Sequence, residues 1–439
     1  MIDSHELRRR DSYLNKLIGF QDTEPVKVIT GIRRCGKSSL LKLMVQHLKD
    51  TGVLPEQIIE MNFESFDFHK MSADDVYRYV KERIIAGKRM YLFFDELQRI
   101  KAWEDAVNAF RVDFDCDIYV TGSNAYLLSS EYATYLSGRC VEIKMLPLSF
   151  REFLDFHGFD VRETQSALGG LRKLVFDKNN ERYELREVFA AYMRFGGMPG
   201  IADVGLEQEK VLALLDGIYS TVVIRDILER ETRRGQKQIT DPALLRKIIL
   251  FLADNIGSSV SIASIGNILV NEGLWDDGKR KGTPSAHTVQ AYVNALLESY
   301  FVYEIKRFDI KGKAYLRTLG KYYIVDIGLR NYLLGFRNRD SGHAIENVVY
   351  FELLRRGYDV AIGKIGNGEV DFIATTADEK KYIQVTESMM SEDVRKRELA
   401  PLQSIRDNYE KIVLSLEPGL DTSYDGIKSE NLIDWLLNE

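Results

Sequence analysis

The sequence is short of cysteine. Three thiols among 439 residues, an odd and scattered set, make no disulfide framework and point to a reducing compartment. Long apolar runs are missing too: none approaches the roughly 20 residues of a membrane helix, so a soluble chain is expected. Behind the basic stretch Arg8-Arg9-Arg10 no apolar segment follows, which argues against a secretion leader and for a cytoplasmic location. Positive charge is not in excess either. With 60 Lys and Arg against 66 Asp and Glu the formal net charge is −6, which excludes a chain that coats nucleic acid by bulk electrostatics; contact with DNA would need a local patch. What remains is an ordinary globular composition, 45% hydrophobic and 29% charged, and a length that fits about two to four domains.

Against that background one stretch stands out. Gly31-Ile32-Arg33-Arg34-Cys35-Gly36-Lys37-Ser38 fits the phosphate-loop pattern G-x-x-x-x-G-K-[ST]. The β-rich Val26-Lys27-Val28-Ile29-Thr30 precedes it, and Ser39-Leu40-Leu41-Lys42-Leu43-Met44-Val45 follows with apolar residues at helical spacing. Glycines let the backbone wrap closely around a polyphosphate, so that main-chain N–H groups and the positive helix end face the anion. Lys37 is then expected to reach the β and γ phosphates, Ser38 to ligate Mg²⁺, and the run from Gly31 to Ser39 to line ATP. Cys35 reads as a small residue fitting a tight space. The competing reading is a Gly-rich turn with a solvated lysine.

A second motif weakens that competitor. Met90-Tyr91-Leu92-Phe93-Phe94-Asp95-Glu96 reads as a buried parallel strand ending in two carboxylates, at the edge where open α/β sheets bind ligands. Asp95 is expected in the Mg²⁺ shell and Glu96 to orient or deprotonate water; a helix N-cap is the bland reading of the same Asp. Asp117-Ile118-Tyr119-Val120-Thr121 is a further strand leading to Gly122-Ser123-Asn124. Asn124 can sense the γ-phosphate or merely cap the next helix, and both readings stand.

Leu136-Ser137-Gly138-Arg139 comes next, then the strand Cys140 to Met145, then Pro147-Leu148-Ser149-Phe150. This order of phosphate loop, Asp-Glu strand, Thr-Gly-Ser-Asn strand, Ser-Gly-Arg and Pro-Leu-Ser-Phe resembles a prokaryotic AAA-type ATPase family. Its members carry a C-terminal domain of unknown function, similar to a winged helix joined to a restriction-endonuclease-like fold. The resemblance implies an α/β core of five parallel strands in order 5-1-4-3-2 over residues 1–150, a helical lid over 151–236, a winged helix-turn-helix over 237–337 and a restriction-endonuclease-like domain over 338–439. It gives Asn124 the sensor role and Arg139 that of an arginine finger completing a neighbouring subunit's site, hence a homo-oligomer. An arginine paired with a surface carboxylate is the plain alternative. No motif marks a second sensor arginine in the lid, which reads as mostly helical; Arg225 is a guess.

Asp241-Pro242 opens a new unit, Asp as cap and Pro at the first helical position. Three apolar-periodic segments, near Ala243 to Ala253, Ile262 to Asn271 and Ser285 to Ser299, precede two strands that flank Asp309-Ile310-Lys311-Gly312-Lys313. Between Trp275 and Lys321 nine Lys and Arg (Lys279, Arg280, Lys281, Lys306, Arg307, Lys311, Lys313, Arg317, Lys321) face five Asp and Glu, a surplus that suits duplex DNA, although winged helices also dock proteins. Beyond His343 lie the helix bearing Glu346 and the strands around Asp371 and Gln384. Active members of the resembling fold hold Mg²⁺ with an Asp and an acid or amide and activate water with a lysine two residues on. Asp371 and Gln384 match, but Thr386 occupies the lysine position, and Lys364, Lys380 and Lys381 are poor substitutes. A degenerate domain with a vestigial site of Glu346, Asp371 and Gln384 is therefore expected. The leading expectation is a Mg²⁺-dependent ATPase coupled to DNA- or protein-binding modules. A slow nucleotide switch acting through protein partners and an ATP-dependent DNA nuclease are the alternatives.

Overall fold

The computed structural model describes residues 7–123, 125, 138–165, 171–229, 239, 241–271, 284–315, 319–337, 341–366, 368–417 and 422–438. They form two compact units, Met1–Leu146 with Glu298–Tyr300, and Pro147–Leu297 with Phe301–Glu439.

The first unit is built on five parallel strands: β1 (Val26–Thr30), β2 (Ile58–Asn62), β3 (Met90–Asp95), β4 (Cys116–Gly122) and β5 (Cys140–Lys144). Their order is β2-β3-β4-β1-β5, the expected 5-1-4-3-2 read from the other edge. Every residue of β1 and β3 is buried, as strands covered on both faces must be. Among the described residues four α-helices accompany them: α1 (Asp11–Gly19), α2 (Lys37–Asp50), α3 (Ala73–Lys81) and α4 (Trp103–Asp113). A capping box of Ser72 and Asp75 starts α3. One apolar cluster, including Phe63, Phe94, Trp103, Val107 and Phe110, joins β2, β3 and β4 to α3 and α4.

That core contains an ion pair. Lys27 on β1 and Asp117 on β4, both side chains fully buried, are bonded to each other. Asp117 also accepts from the Tyr119 hydroxyl at 2.9 Å and the Asp22 N–H at 2.8 Å. Burial drags the Lys27 ammonium below its ordinary pKa, against the opposing pull of Asp117.

In the second unit the helix Phe150–His157 starts at a capping box of Ser149 and Glu152. The region that follows is helical from Leu185 on, as expected, but not before it. It inserts an antiparallel sheet of β6 (Asp160–Gln165), β7 (Leu171–Phe176) and β8 (Arg182–Glu184). The Asp177 carboxylate accepts from the N–H groups of Asn179 and Glu181, and this turn chemistry decides for a hairpin. Helices Leu185–Phe195, Ile201–Val204 and Gln208–Ser220 follow, the last running into a π-helical stretch, Thr221–Glu229.

The helices Pro242–Asp254, Ile262–Asn271 and Ala286–Glu298 lie where periodicity puts them, and Asp241 caps the first by accepting from the N–H groups of Ala243 and Leu244. A three-stranded sheet accompanies them. Its strands are β9 (Ser259–Val260), β10 (Val302–Ile305) and, after β11 (Arg307–Asp309) and β12 (Ala314–Tyr315), β13 (Gly320–Ile324), which lies between the other two. The segment between β10 and β13 is no free wing. β11 runs parallel to β14 (Asp359–Ile365), giving that strand's edge a partner. It thereby joins an eight-stranded sheet with β15 (Gly368–Thr375), β16 (Lys380–Ser388), β17 (Glu410–Glu417), β18 (Ser423–Tyr424) and β19 (Ile427–Asn431). The helix Ser341–Arg355 is buried from Ala344 through Leu353.

Asp326 caps the helix Ile327–Leu334, accepting from the Leu329 N–H at 3.0 Å, and its other oxygen takes the Gly197 N–H at 2.6 Å. Burial pushes this carboxyl up to about 6, although the N–H groups of Gly197, Leu329 and Gly328 pull it down.

Two predictions follow from these buried charges. Lys27→Met strands Asp117 without its counter-charge and should cost about 3–5 kcal/mol in urea unfolding, whereas Lys27→Met with Asp117→Leu should recover much of that loss. For Asp326 the folded pKa lies above the unfolded one, so its contribution is present below about pH 4 and is lost as pH rises through about 6. The stability difference between wild type and Asp326→Asn should therefore shift by about 2.4 kcal/mol in favour of wild type on going from pH 7 to pH 4.

Candidate functional site

The loop after β1 follows a path open to glycine. Gly31 has φ +142, and a Cβ there would lie 2.1 Å from the Met145 carbonyl oxygen. Gly36, at φ +103, is the N-cap of α2. Lys37 opens that helix, is 5% exposed, and donates from its ammonium to the carbonyls of Gly31 (2.9 Å) and Ile32 (3.0 Å). The loop's own backbone thus fixes the cation. Ser38 and Ser39, both exposed, sit in the first turn of α2 at the positive end of its dipole. Ile32 and Cys35 are fully buried, so Cys35 fills space as expected.

Three further groups brace the loop, and apart from Arg33 no motif marks them. Arg10, 3% exposed, donates to the carbonyls of Cys35 (3.1 Å) and Leu146 (2.8 Å), and its guanidinium lies 4.6 Å from the centre of the Tyr13 ring. Arg33 pairs with Glu64, which also holds Arg99 at 2.9 Å. The Thr30 hydroxyl donates to Glu142 on β5, and the Tyr300 hydroxyl donates to the same carboxylate at 3.2 Å.

The acid pair lies at the C-terminal edge of the same sheet. Asp95 accepts from the Thr121 hydroxyl and, at 3.1 Å, from the Asn62 amide. Glu96 adopts φ +59; its N–H donates to the Thr121 hydroxyl oxygen at 2.9 Å, and its carboxylate accepts from Gln98 (2.6 Å) and Ser123 (3.3 Å). One threonine therefore positions both acids. Neutral donors leave a carboxylate its charge and its spare lone pairs. Among the described residues no three His, Cys, Asp or Glu side chains gather into a group that could hold a metal. At this edge the Ser38 hydroxyl and the Asp95 carboxylate, hard oxygen donors, are the groups that could hold a Mg²⁺ ion.

Arg139 is exposed; its carbonyl accepts from the Val26 N–H at 2.9 Å, and no carboxylate pairs with its guanidinium among the described residues. Asn124 and the side chain of Arg225 lie outside the described residues. So do Lys279, Arg280, Lys281 and Arg317 of the basic surplus. Two of its other members are turned inward: Lys321 is 2.7 Å from Glu369, and Arg307 lies 3.5 Å from the same carboxylate.

The C-terminal residues do come together. Asp371 accepts from the Val385 N–H at 2.9 Å, its own N–H reaches the Gln384 side-chain amide oxygen Oε1 at 3.4 Å, and the Gln384 amide donates to Glu398 at 3.0 Å. Glu346 takes the Tyr323 hydroxyl at 3.2 Å and lies 4.0 Å from the Lys321 ammonium. Burial, then the charge of Glu346, hold the Asp371 carboxyl well above the usual range. Burial lowers the Lys321 pKa, but Glu346, Asp371 and Glu369 outweigh it and the net shift is upward. Thr386 stands buried where a lysine would be needed. Lys381 pairs with Glu379 and Glu410, and Lys380 lies over the rings of Tyr382 and Tyr409. This donor set does not suit Mg²⁺, since the amide oxygen and one carboxylate oxygen serve backbone N–H groups and an ammonium faces the acids.

Known proteins bear on both units. A family model described as an AAA domain matches residues 23–154, and one described as a domain of unknown function (DUF8612) matches residues 186–340. Together with the strand order, the glycine loop and the acid pair, the first match makes this region an AAA-type P-loop domain. An uncharacterised protein of Haemophilus influenzae is 38% identical over 432 residues, 98% of both chains, and MJ1544 of Methanocaldococcus jannaschii is 30% identical over 427 residues, 95% of this chain and 85% of its own. The chain belongs to the family of these two proteins. Among solved structures, the Walker-type ATPase PABY2304 of Pyrococcus abyssi is similar with a TM-score of 0.47 at 17% identity, covering 74% of this chain and 95% of that one. No helix among the described residues is long and apolar enough to cross a membrane.

Arg10 meets the loop at a backbone carbonyl, that of Cys35, so its effect on ligand binding runs through loop geometry. Arg10→Ala should weaken ATP binding about tenfold in calorimetry and lower the melting temperature, since hydrogen bonds from a charged group are worth about 1.5–3 kcal/mol.

Proposed function

We propose that this protein is a Mg²⁺-dependent ATPase that passes its nucleotide state to C-terminal binding modules. The observation that carries the reading is the joint setting of Lys37 and the acid pair. Loop carbonyls hold the first and Thr121 steers Asp95 and Glu96, all at one edge of a parallel sheet. In this reading the amides from Gly31 to Ser39 wrap the triphosphate, Lys37 neutralises its terminal oxygens, and Ser38 and Asp95 hold Mg²⁺, which supplies charge neutralisation at the phosphates. Glu96 orients the attacking water with Asn124, and Arg139 of a neighbouring subunit stabilises the leaving charge.

The second unit divides on this proposal into a lid (151–236), a winged helix (237–337) and a restriction-endonuclease-like domain (338–439). The three helices with the β10–β13 pair support the winged-helix assignment, and exposed Lys311 and Lys313 remain available to DNA phosphates. With β11 built into the larger sheet, contact falls to the helix Ala286–Glu298 and to those lysines rather than to a free wing.

Lys37→Ala should lose ATP affinity by about a hundredfold or more, and Glu96→Gln should keep binding while turnover falls by about 10²–10⁴. Arg139→Ala should behave like Glu96→Gln, and mixing the two inactive chains should restore some turnover; a mixture as dead as its parts would rule out sharing across subunits. Anisotropy with duplex DNA at low salt tests the coupling, and ATP turnover indifferent to DNA together with no detectable binding would transfer the role to protein partners.

A further inference from the structure

Beside Glu96 lies the amide of Gln98. The strand β3 ends at Asp95, Glu96 takes the left-handed φ +59, and the 3-10 turn Leu97–Arg99 follows at once. A left-handed backbone is costly for a residue with a side chain and persists only where its surroundings hold it. Here the Glu96 N–H is held by the Thr121 hydroxyl at 2.9 Å, the Arg99 N–H by the Glu96 carbonyl at 3.2 Å, and the Arg99 guanidinium by Glu64 at 2.9 Å. Leu97 is buried. Gln98 therefore belongs to a turn anchored on both sides.

Its amide is fixed at one end. The Nε2 group donates to Glu96 Oε2 at 2.6 Å, and because an ionised carboxylate only accepts, this bond decides which end of the amide is nitrogen. Ser123 donates to the same oxygen at 3.3 Å. Both donors thus fall on Oε2, and none of the described residues donates to Glu96 Oε1. The other end of the amide, Gln98 Oε1, is shielded from solvent and accepts from none of the described groups. A buried carbonyl oxygen without a donor is unfavourable, and this one lies beside the proposed base.

Given the ATPase reading, on which this step rests, we propose that Gln98 holds the attacking water together with Glu96, one proton of the water directed to Glu96 Oε1 and the other to Gln98 Oε1. A water that donates both protons keeps a lone pair for the terminal phosphorus. In the step itself the water oxygen bonds to that phosphorus, the bond from phosphorus to the bridging oxygen breaks, ADP leaves with the electron pair, and one water proton passes to Glu96. The amide orients the water and exchanges no proton with it. Being neutral, its Nε2 end positions the carboxylate without cancelling the charge that makes it a base.

The test combines steady-state turnover with the binding of two phosphate mimics by full-length protein in Mg²⁺. Gln98→Met keeps the length of the side chain and removes both polar ends; its kcat for ATP should fall about 30-fold to 100-fold while KM changes by less than about threefold. ADP with beryllium fluoride resembles bound ATP and needs no water, so Gln98→Met should bind it as wild type does. ADP with aluminium fluoride resembles the phosphoryl group in flight with its water in line, and its binding should weaken at least about tenfold. Ser123→Ala loosens the carboxylate but leaves the amide oxygen in place, and should keep aluminium fluoride binding within about threefold of wild type. Turnover of Gln98→Met within about threefold of an active wild type overturns this inference alone, whereas a wild type that hydrolyses no ATP removes the ATPase reading and this step with it. Equal losses with both fluorides mark a structural amide, and equal aluminium fluoride losses in Gln98→Met and Ser123→Ala mark a tether for Glu96; either overturns the proposal. Should Gln98→Met melt well below wild type, Gln98→Ala is carried through the same series and judged by the same outcomes.

Discussion

The nucleotide-site reading rests on a close approach of two backbones. Gly31 lies against the Met145 carbonyl at a separation that no other residue tolerates, since a single added carbon would stand 2.1 Å from that oxygen. The Met145 N–H in turn donates to the Thr30 carbonyl at 2.7 Å, so the segment after β5 is bonded to the last residue of β1 where the loop begins. Arg10 then reaches two carbonyls, one in the loop and one just after Met145, and binds both to the N-terminal segment. The loop is held from behind, and the N–H groups of the first turn of α2 stay free of intrahelical partners. An anion site needs that division: rigid carbonyl-side anchorage, and donors left for the ligand.

The core beneath the loop follows the same logic at greater electrostatic expense. An ion pair of Lys27 and Asp117 inside a parallel sheet contributes little net stability compared with well-packed apolar residues. Its geometry nonetheless fixes register, because β1 and β4 are neighbours in the sheet and Asp117 also accepts the Asp22 N–H in the segment leading to β1. A one-residue slip of β1 would turn Lys27 to the other face and leave Asp117 uncompensated. The register of β1 in turn sets where Gly31 emerges.

Much of the first unit was legible in the sequence, and the reason is local. The strands β1, β3 and β4 are short apolar runs, and the phosphate loop is a pattern within one stretch of chain, so neither depends on a distant partner. The Asp-Glu pair at the end of β3 is legible for the same reason. What was not legible depends on pairing across long separations. The conversion of an expected helical region into β6, β7 and β8 turns on the Asp177 turn, and the capture of β11 by β14 joins segments that no periodicity connects. Arg10, Tyr300 and Lys321 belong with these: each is a charged or polar residue whose neighbours carry no pattern, and each acts through a partner more than a hundred residues away or on another element. The basic surplus before β13 misled in the same way, since composition counts Lys321 and Arg307 as surface charge while the fold turns them to Glu369.

The two acid sites show why residue type alone does not define a metal centre. Asp95 and Glu96 are served by hydroxyls and side-chain amides, neutral donors that orient carboxylates without cancelling their charge. Glu346 and Asp371 are carboxylic acids too but share their surroundings with Lys321, and a full positive charge at that range competes directly with any divalent ion for the same electrostatic work. Neutral donors suit a site where, on the proposed function, a cation would arrive and leave with its phosphates. A built-in ammonium satisfies the acids permanently. The two arrangements use the same carboxylate chemistry, and it is the neighbouring donor that separates the proposed nucleotide site from an acid pocket already satisfied by a lysine.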